Sequence, residues 1–254
     1  MDKDCYLTRF AATDSARADF KHLSYLQNQH MLHIPFENLD VINGTPITMN
    51  VENYYNKIVN RRRGGFCYEL NGLFNWLLQQ LGYESHLIAG TVRKPDGTWA
   101  LQNSHATILV KLDKPYLVDV GFGDSARTPV PFTGDEVNDV SGVYRTIPME
   151  HKEDTYHLQR LLDGNWVTQY SVNINKKQLQ DFAPMCHFNQ TSPDSPFTHN
   201  EIVTIATKEG RLTFSGTALT ITNGNHKTKV DISETQKDEI LWKYFGIHLG
   251  NYTR

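Results

Sequence analysis

The chain is poor in cysteine: Cys5, Cys67 and Cys186 are the only three in 254 residues. So few, and an odd number, argue against a disulfide framework and make the reducing cytoplasm the simplest address. Long apolar runs are missing too. Nothing approaches a membrane span, and Met1-Asp2-Lys3-Asp4-Cys5 leads into no apolar signal-peptide core. There is no excess of positive charge. Lys and Arg number 25 against 28 Asp and Glu, for a net charge of -3 and a pI near 6.4. Neither nucleic acid nor an anionic membrane is therefore an expected partner. The chain has no GxGxxG opening a βαβ unit and no P-loop, so dinucleotide and P-loop chemistry have no motif. It has no HExxH and no CxxC pair, so no metal is expected. Repeats and low-complexity tracts are absent as well. With 39% hydrophobic and 21% charged residues, it is an ordinary folded chain.

What is present is organised around Arg63-Gly64-Gly65-Phe66-Cys67-Tyr68-Glu69-Leu70-Asn71. Leu70, Phe74, Leu77, Leu78 and Leu81 recur at helical spacing, and Gly82 is a natural stop. The two glycines allow a tight turn into that helix. Cys67 falls in its first turn, where free N–H groups and the positive dipole end favour a thiolate. Arg61, Arg62 and Arg63 push the same way. A thiolate is the reactive form of cysteine, which makes Cys67 a candidate nucleophile. The other reading is a small inert core residue.

Thr13 or Asp14 predicts the cap of an earlier helix with Phe20, Leu23 and Leu26 on one face. Asn50 predicts the cap of another, with Val51, Tyr54, Tyr55, Ile58 and Val59 as apolar positions. After Gly82 the pattern becomes strand-like at 87–92, 105–110, 116–120, 156–162 and 166–172, with Asp163-Gly164 as a hairpin turn. Residues 124–149 read as a long loop. The Pro- and Ser-rich stretch Thr191 to Pro196 marks a boundary. Strands follow at 202–207, 211–215, 219–222 and 227–232. Ser233 predicts a last helix through Ile240, Leu241, Tyr244 and Phe245, stopped by Gly246. Helices first, then antiparallel strands, then strands plus a helix give an α+β class.

A nucleophilic cysteine needs a base, and the base needs an orienting acceptor. Eleven histidines make His alone a poor marker, and His22, His30 and His226 read as surface residues. His105 differs: it opens a strand after Gln102-Asn103-Ser104. Asp119 ends the next strand among apolar neighbours. It can serve a turn hydrogen bond, yet a carboxylate in such surroundings calls for a partner, and His105 is available. The roles that follow are Cys67 as nucleophile, His105 as proton acceptor and donor, and Asp119 as the group fixing the tautomer. The same Cys, His, Asp order serves papain- or transglutaminase-like thiol hydrolases, and a non-catalytic binding protein can retain such a fold.

Six stretches together resemble the arylamine N-acetyltransferases: Arg63 to Cys67 with Asn71, Pro35 to Leu39, His105, Val118 to Gly123, Ser192 to Phe197, and Tyr244 to Ile247. They span nearly the whole chain in the family's order. The resemblance implies a cysteine-protease-like core built from a helical bundle (1–83), an antiparallel β-barrel carrying His105 and Asp119 (84–190) and an α/β lid (191–254). It implies a xenobiotic-metabolising acyltransferase in which acetyl-CoA acetylates Cys67, CoA leaves, and an arylamine or arylhydrazine attacks the thioester. It also implies that Glu37 pairs with Arg63 and that Asn71 supports the site near Asp119. Phe36, Val92 and Phe122 are the implied walls of the acceptor pocket. The turn Gly121-Phe122-Gly123 and the strand carrying Thr213 and Ser215 are the implied CoA contacts. A helix N-terminal N–H, that of Cys67 itself, is expected to face the oxyanion.

Overall fold

The computed structural model describes residues 1–15, 17–224 and 226–249. Short polar caps set where its first helices begin. Asp2 Oδ1 accepts from Asp4 N and opens α1 (Lys3–Arg9). Asp19, not Thr13 or Asp14, opens α2 (Phe20–His33), its Oδ1 accepting from His22 N at 2.8 Å. The later start leaves Phe20 39% exposed, while Leu23 and Leu26 are buried. Pro35 ends α2, and β1 (Phe36–Glu37) and α3 (Leu39–Ile42) follow. Asn50 caps α4 (Val51–Tyr55) through Glu52 N and Asn53 N, as its position predicts. That helix widens into a π-turn at Asn56–Asn60.

Helix α5 (Cys67–Gln80) is the axis of the first core. Leu70, Leu73, Phe74, Leu77 and Leu78 are all fully buried on it. Gly82, at φ +85°, releases the chain into the sheet. The histidine expectation fails in α2. His22 and His30 are buried with Leu23, Leu26 and Gln27, because the positions 22, 26 and 30 share the core-facing stripe.

The central layer is one antiparallel sheet: β2 (Glu84–Val92), β3 (His105–Lys111), β4 (Pro115–Val118), β5 (Val130–Pro131), β6 (Val137–Asp139), β7 (Gly142–Pro148), β8 (Thr155–Leu162) and β9 (Asn165–Lys177). Its strand order is β5-β4-β3-β2-β9-β8-β7-β6. Thr146 Oγ1 on β7 donates to Pro131 O on β5 at 2.8 Å, so the sheet nearly closes into a barrel. Asp163 and Gly164, both at positive φ (49° and 78°), make the tight β8–β9 turn. Residues 124–149 are not a long loop but hold β5, β6 and β7. β6 pairs with β7 inside the segment, but β5 and β7 find partners outside it, Leu117 with Val130 and Tyr144 with Arg160, and the short strands show little local alternation.

An unexpected helix, α6 (Ala183–Thr191), follows the barrel. Phe182 before it and Cys186 within it pack into the α5 core. The last layer comprises β10 (Val203–Ala206), β11 (Gly210–Phe214), β12 (Ala218–Asn223) and β13 (His226–Asp231), with β1 added at one edge. Leu241 and Phe245 of α7 (Lys237–Phe245) cover Val203, Phe214 and Leu219. Ser233 precedes a 3-10 turn that leads into α7 rather than opening α7 itself. Among the described residues, no helix is long and apolar enough to cross a membrane.

Candidate active site

The turn that presents Cys67 rests on a buried ion network. Glu69 Oε2 accepts from Phe66 N at 2.9 Å, fixing the entry to α5. Both Glu69 oxygens accept from Lys57 Nζ at 3.0 Å, and Lys57 also meets Asp40 at 2.9 Å. Arg63 Nη2 lies 2.8 Å from Glu37 Oε1 and 3.0 Å from Asp40 Oδ1. Burial pushes the Glu69 carboxyl up, and Lys57 opposes that push. Arg61 and Arg62 are exposed. The glycines before the helix answer to close approach. A Cβ at Gly64 would lie 2.0 Å from Pro35 O, and one at Gly65 would lie 2.7 Å from Glu69 Oε2.

Cys67 opens α5, and His105 opens β3 across from it. His105 Nε2 lies 2.7 Å from Asp119 Oδ2. Asp119, just past β4, also accepts from Tyr170 Oη (2.8 Å), Asn71 Nδ2 (2.9 Å) and Gly121 N (2.9 Å). Burial would raise its carboxyl, but His105 and these donors hold it below the usual carboxylate range. For His105 burial pulls the ring down, while Asp119 and then Cys67 hold the imidazolium up to about 10. Asn71 is fully engaged as a cross-brace: its Nδ2 also donates to Ala106 O (2.7 Å), and its Oδ1 accepts from Val120 N (3.0 Å). A Cβ on Gly121 would come within 2.7 Å of Cys67 Cα, so only glycine fits over the cysteine.

Cys67 and His105 share one cavity of about 840 Å³. Phe36, Val92 and Phe122 line it, as does Phe66, which stacks on Phe36 with centroids 6.2 Å apart. Phe122 stands edge-on to His105 at 5.3 Å. The arrangement is a sulfur and an imidazole in the wall of an aromatic slot, with the imidazole's carboxylate buried behind.

A family model described as N-acetyltransferase matches residues 19–254. The chain belongs to the arylamine N-acetyltransferase family. It is 31% identical to the pineal-gland arylamine N-acetyltransferase isozyme of Gallus gallus, over 89% of this chain and 85% of that protein. Identity to the arylamine N-acetyltransferase of Mycolicibacterium smegmatis is 30%, over 99% and 94%. The crystal structure of a Bacillus cereus arylamine N-acetyltransferase superposes with a TM-score of 0.91 at 27% identity, covering 97% of this chain and 98% of that one. That enzyme is described as having a Cys-His-Glu triad, whereas an aspartate, Asp119, faces the histidine in this chain. As an arylamine N-acetyltransferase family member, the chain is an acyltransferase-class enzyme whose core is cysteine-protease-like.

Of the implied CoA contacts in this arylamine N-acetyltransferase family member, Gly121 lines the cavity. Gly123, at φ +89°, lies beside Thr204 of β10, its Cβ position 3.4 Å from Thr204 Cγ2. Thr213 Oγ1 pairs with Thr204 Oγ1 at 2.8 Å, and Ser215 N donates to Ala218 O. Neither Thr213 nor Ser215 lines the cavity. Tyr170, Asn189 and Lys57 are the site residues that motif reading misses. Among the described residues, no group of three or more His, Cys, Asp or Glu is placed to hold a metal ion.

Proposed function

We propose that this chain moves an acetyl group from acetyl-CoA to an aromatic amine or hydrazine by a ping-pong route through a Cys67 thioester. The observation that carries this reading is the pairing of His105 with Asp119 at 2.7 Å in the cavity that also holds Cys67. An imidazole held by a buried carboxylate beside a cysteine sulfur is the arrangement that activates a thiol nucleophile. In the first half, the Cys67 sulfur bonds to the acetyl carbonyl carbon. The carbon–sulfur bond to CoA breaks, and the departing thiolate takes a proton from His105. In the second half, the acceptor nitrogen bonds to the same carbon, neutral His105 takes an N–H proton, and the Cys67 sulfur leaves as thiolate. The resting charges are thereby restored.

The first N–H groups of α5 precede its first ring-closing bond, from Leu70 N to Phe66 O. The Cys67 N–H is in that position and is the proposed donor to the tetrahedral oxyanion. Phe36, Val92 and Phe122 receive the acceptor's ring, and the apolar wall disfavours water as a competing acceptor. Arg93, Lys94 and His199 also line the cavity and suit the donor's phosphates. Gly121, Gly123, Thr213 and Ser215 are retained as proposed CoA contacts, with Glu37, Arg63 and Asn71 as support. The parts of the proposed enzyme are the bundle 1–83, the barrel 84–190 and the lid 191–254. Three unpaired cysteines agree with a reducing compartment, for which the cytoplasm is proposed.

Initial rates at varied acetyl-CoA and arylhydrazine test the route. Parallel double-reciprocal lines are expected, and intersecting lines would contradict it. Cys67→Ser is expected to abolish turnover; retained turnover would remove Cys67 from the nucleophile's role.

A further inference from the structure

A buried polar residue of the cavity wall keeps one side-chain atom without a partner among the described residues. Asn189, on α6, is 5% exposed and lines the cavity with Cys67 and His105. Its Nδ2 donates to Tyr68 Oη at 3.0 Å. The single proton of that hydroxyl goes to Ser104 O at 3.3 Å. Tyr68 must therefore receive an N–H from Asn189, which fixes which way the amide faces. The Asn189 backbone carbonyl is already taken by Ser195 Oγ at 3.1 Å. The side-chain Oδ1 has no partner among the described residues and keeps some solvent exposure. Tyr68 adjoins Cys67 and Ser104 adjoins His105, so one hydroxyl ties this amide to both halves of the site.

We infer that Asn189 Oδ1 accepts an N–H of the attacking nitrogen and selects acceptors that carry two hydrogens on it. The inference rests on the acyl-transfer function proposed above. In the transfer step the nitrogen lone pair forms the bond to the thioester carbon, the carbon–Sγ bond breaks, and one N–H proton passes to His105. A primary arylamine, or the terminal nitrogen of a hydrazine, has a second N–H to give to Asn189. An N-methyl arylamine has only the one that His105 removes, and a phenol has a single O–H. A site built around a buried acceptor discriminates against ligands that leave it unpaired. Held through both N–H groups, the attacking amine also points its lone pair toward the thioester carbon rather than away from it.

The test separates the two half-reactions. Acetyl-enzyme is formed with acetyl-CoA alone and followed by intact mass, then discharged with aniline or with N-methylaniline. In Asn189→Ala, both amines are compared on acetyl-enzyme already formed, so the readout is the ratio of their discharge rates. Discharge by aniline is expected to fall roughly 10- to 100-fold, with little change for N-methylaniline, so the preference for the primary amine collapses. Asn189→Leu gives the same readout if the alanine variant does not fold, and Asn189→Asp, which keeps an acceptor oxygen, retains most of the preference. Equal slowing of both amines, or an unaltered preference in Asn189→Ala, would overturn the inference and leave acyl transfer standing. No acetyl-enzyme in the wild type would overturn both.

Discussion

Four donors converge on Asp119, from His105, Tyr170, Asn71 and Gly121. This is why a carboxylate is stable in an apolar setting. The pair has a defined pH window. His105 is raised from 6.5 to about 10, so its stabilisation is complete below pH 6.5 and is lost as pH rises through about 10. Asp119 is lowered from 3.8, so its stabilisation is present above that value and is lost as pH falls beneath it. Melting temperature is expected to fall between about pH 6.5 and 10 in wild type, and that falling limb is expected to shrink in Asp119→Asn. An unchanged limb would show that Asp119 does not hold the imidazolium. Gly121→Ala is expected to abolish activity with a clear loss of stability, because the new methyl meets the Cys67 backbone at 2.7 Å; a fully active variant would contradict that packing. Cys67, His105 and Asp119 were legible because each stands in its own short motif. Tyr170 was not: it lies 51 positions from Asp119, and a register shift between Leu158 and Gln159 on the paired strand sets which face it shows. No local spacing encodes that.

The first turn of α5 is held by its neighbours more than by its own propensity. Lys57 is the hub, facing Glu37, Asp40 and Glu69 with almost no solvent. Removing its charge would leave three carboxylates compensated by Arg63 among the residues described in contact. Lys57→Met is expected to cost about 3–5 kcal/mol in urea unfolding and to lower Cys67 reactivity by loosening the turn. A change below about 1 kcal/mol would show that the network contributes little. Lys57 escaped the sequence reading because it sits in a π-turn, where both Lys57 and Ile58 face inward and the helical period breaks. α6 escaped for a different reason. Its buried positions are Cys186 and Asn189, neither of them a strong apolar marker. The α5 pattern, by contrast, was plain, because five large apolar residues recur on one stripe and a glycine ends it.

Across the whole molecule there are three apolar clusters: one shared by the helices and one set of barrel-strand residues, one within the barrel strands, and one between the last sheet and α7. The α+β class followed from the order of patterns along the chain, and the nearly closed barrel depended on long-range pairings that no window contains. One buried group makes the fold acid-sensitive. His30 sits among Tyr6, Phe10 and Phe74 with Tyr6 Oη at 2.8 Å from its Nε2. Burial, helped by Arg9, lowers it to about 3. A lowered pKa favours the unfolded state as protons bind it, so stability is present above pH 6.5 and falls between about 6.5 and 3 by up to about 1.4 kcal/mol per pH unit. His30→Gln is expected to flatten that slope in urea titrations; an identical slope would clear His30 of the effect. The central claim is that Cys67 carries the acetyl group between donor and acceptor. Intact mass after mixing with acetyl-CoA alone, followed by an arylhydrazine, tests it most directly. One acetyl adduct localised to Cys67 and discharged by the hydrazine is predicted. An acetyl adduct elsewhere, or none with acetyl-CoA, would contradict it.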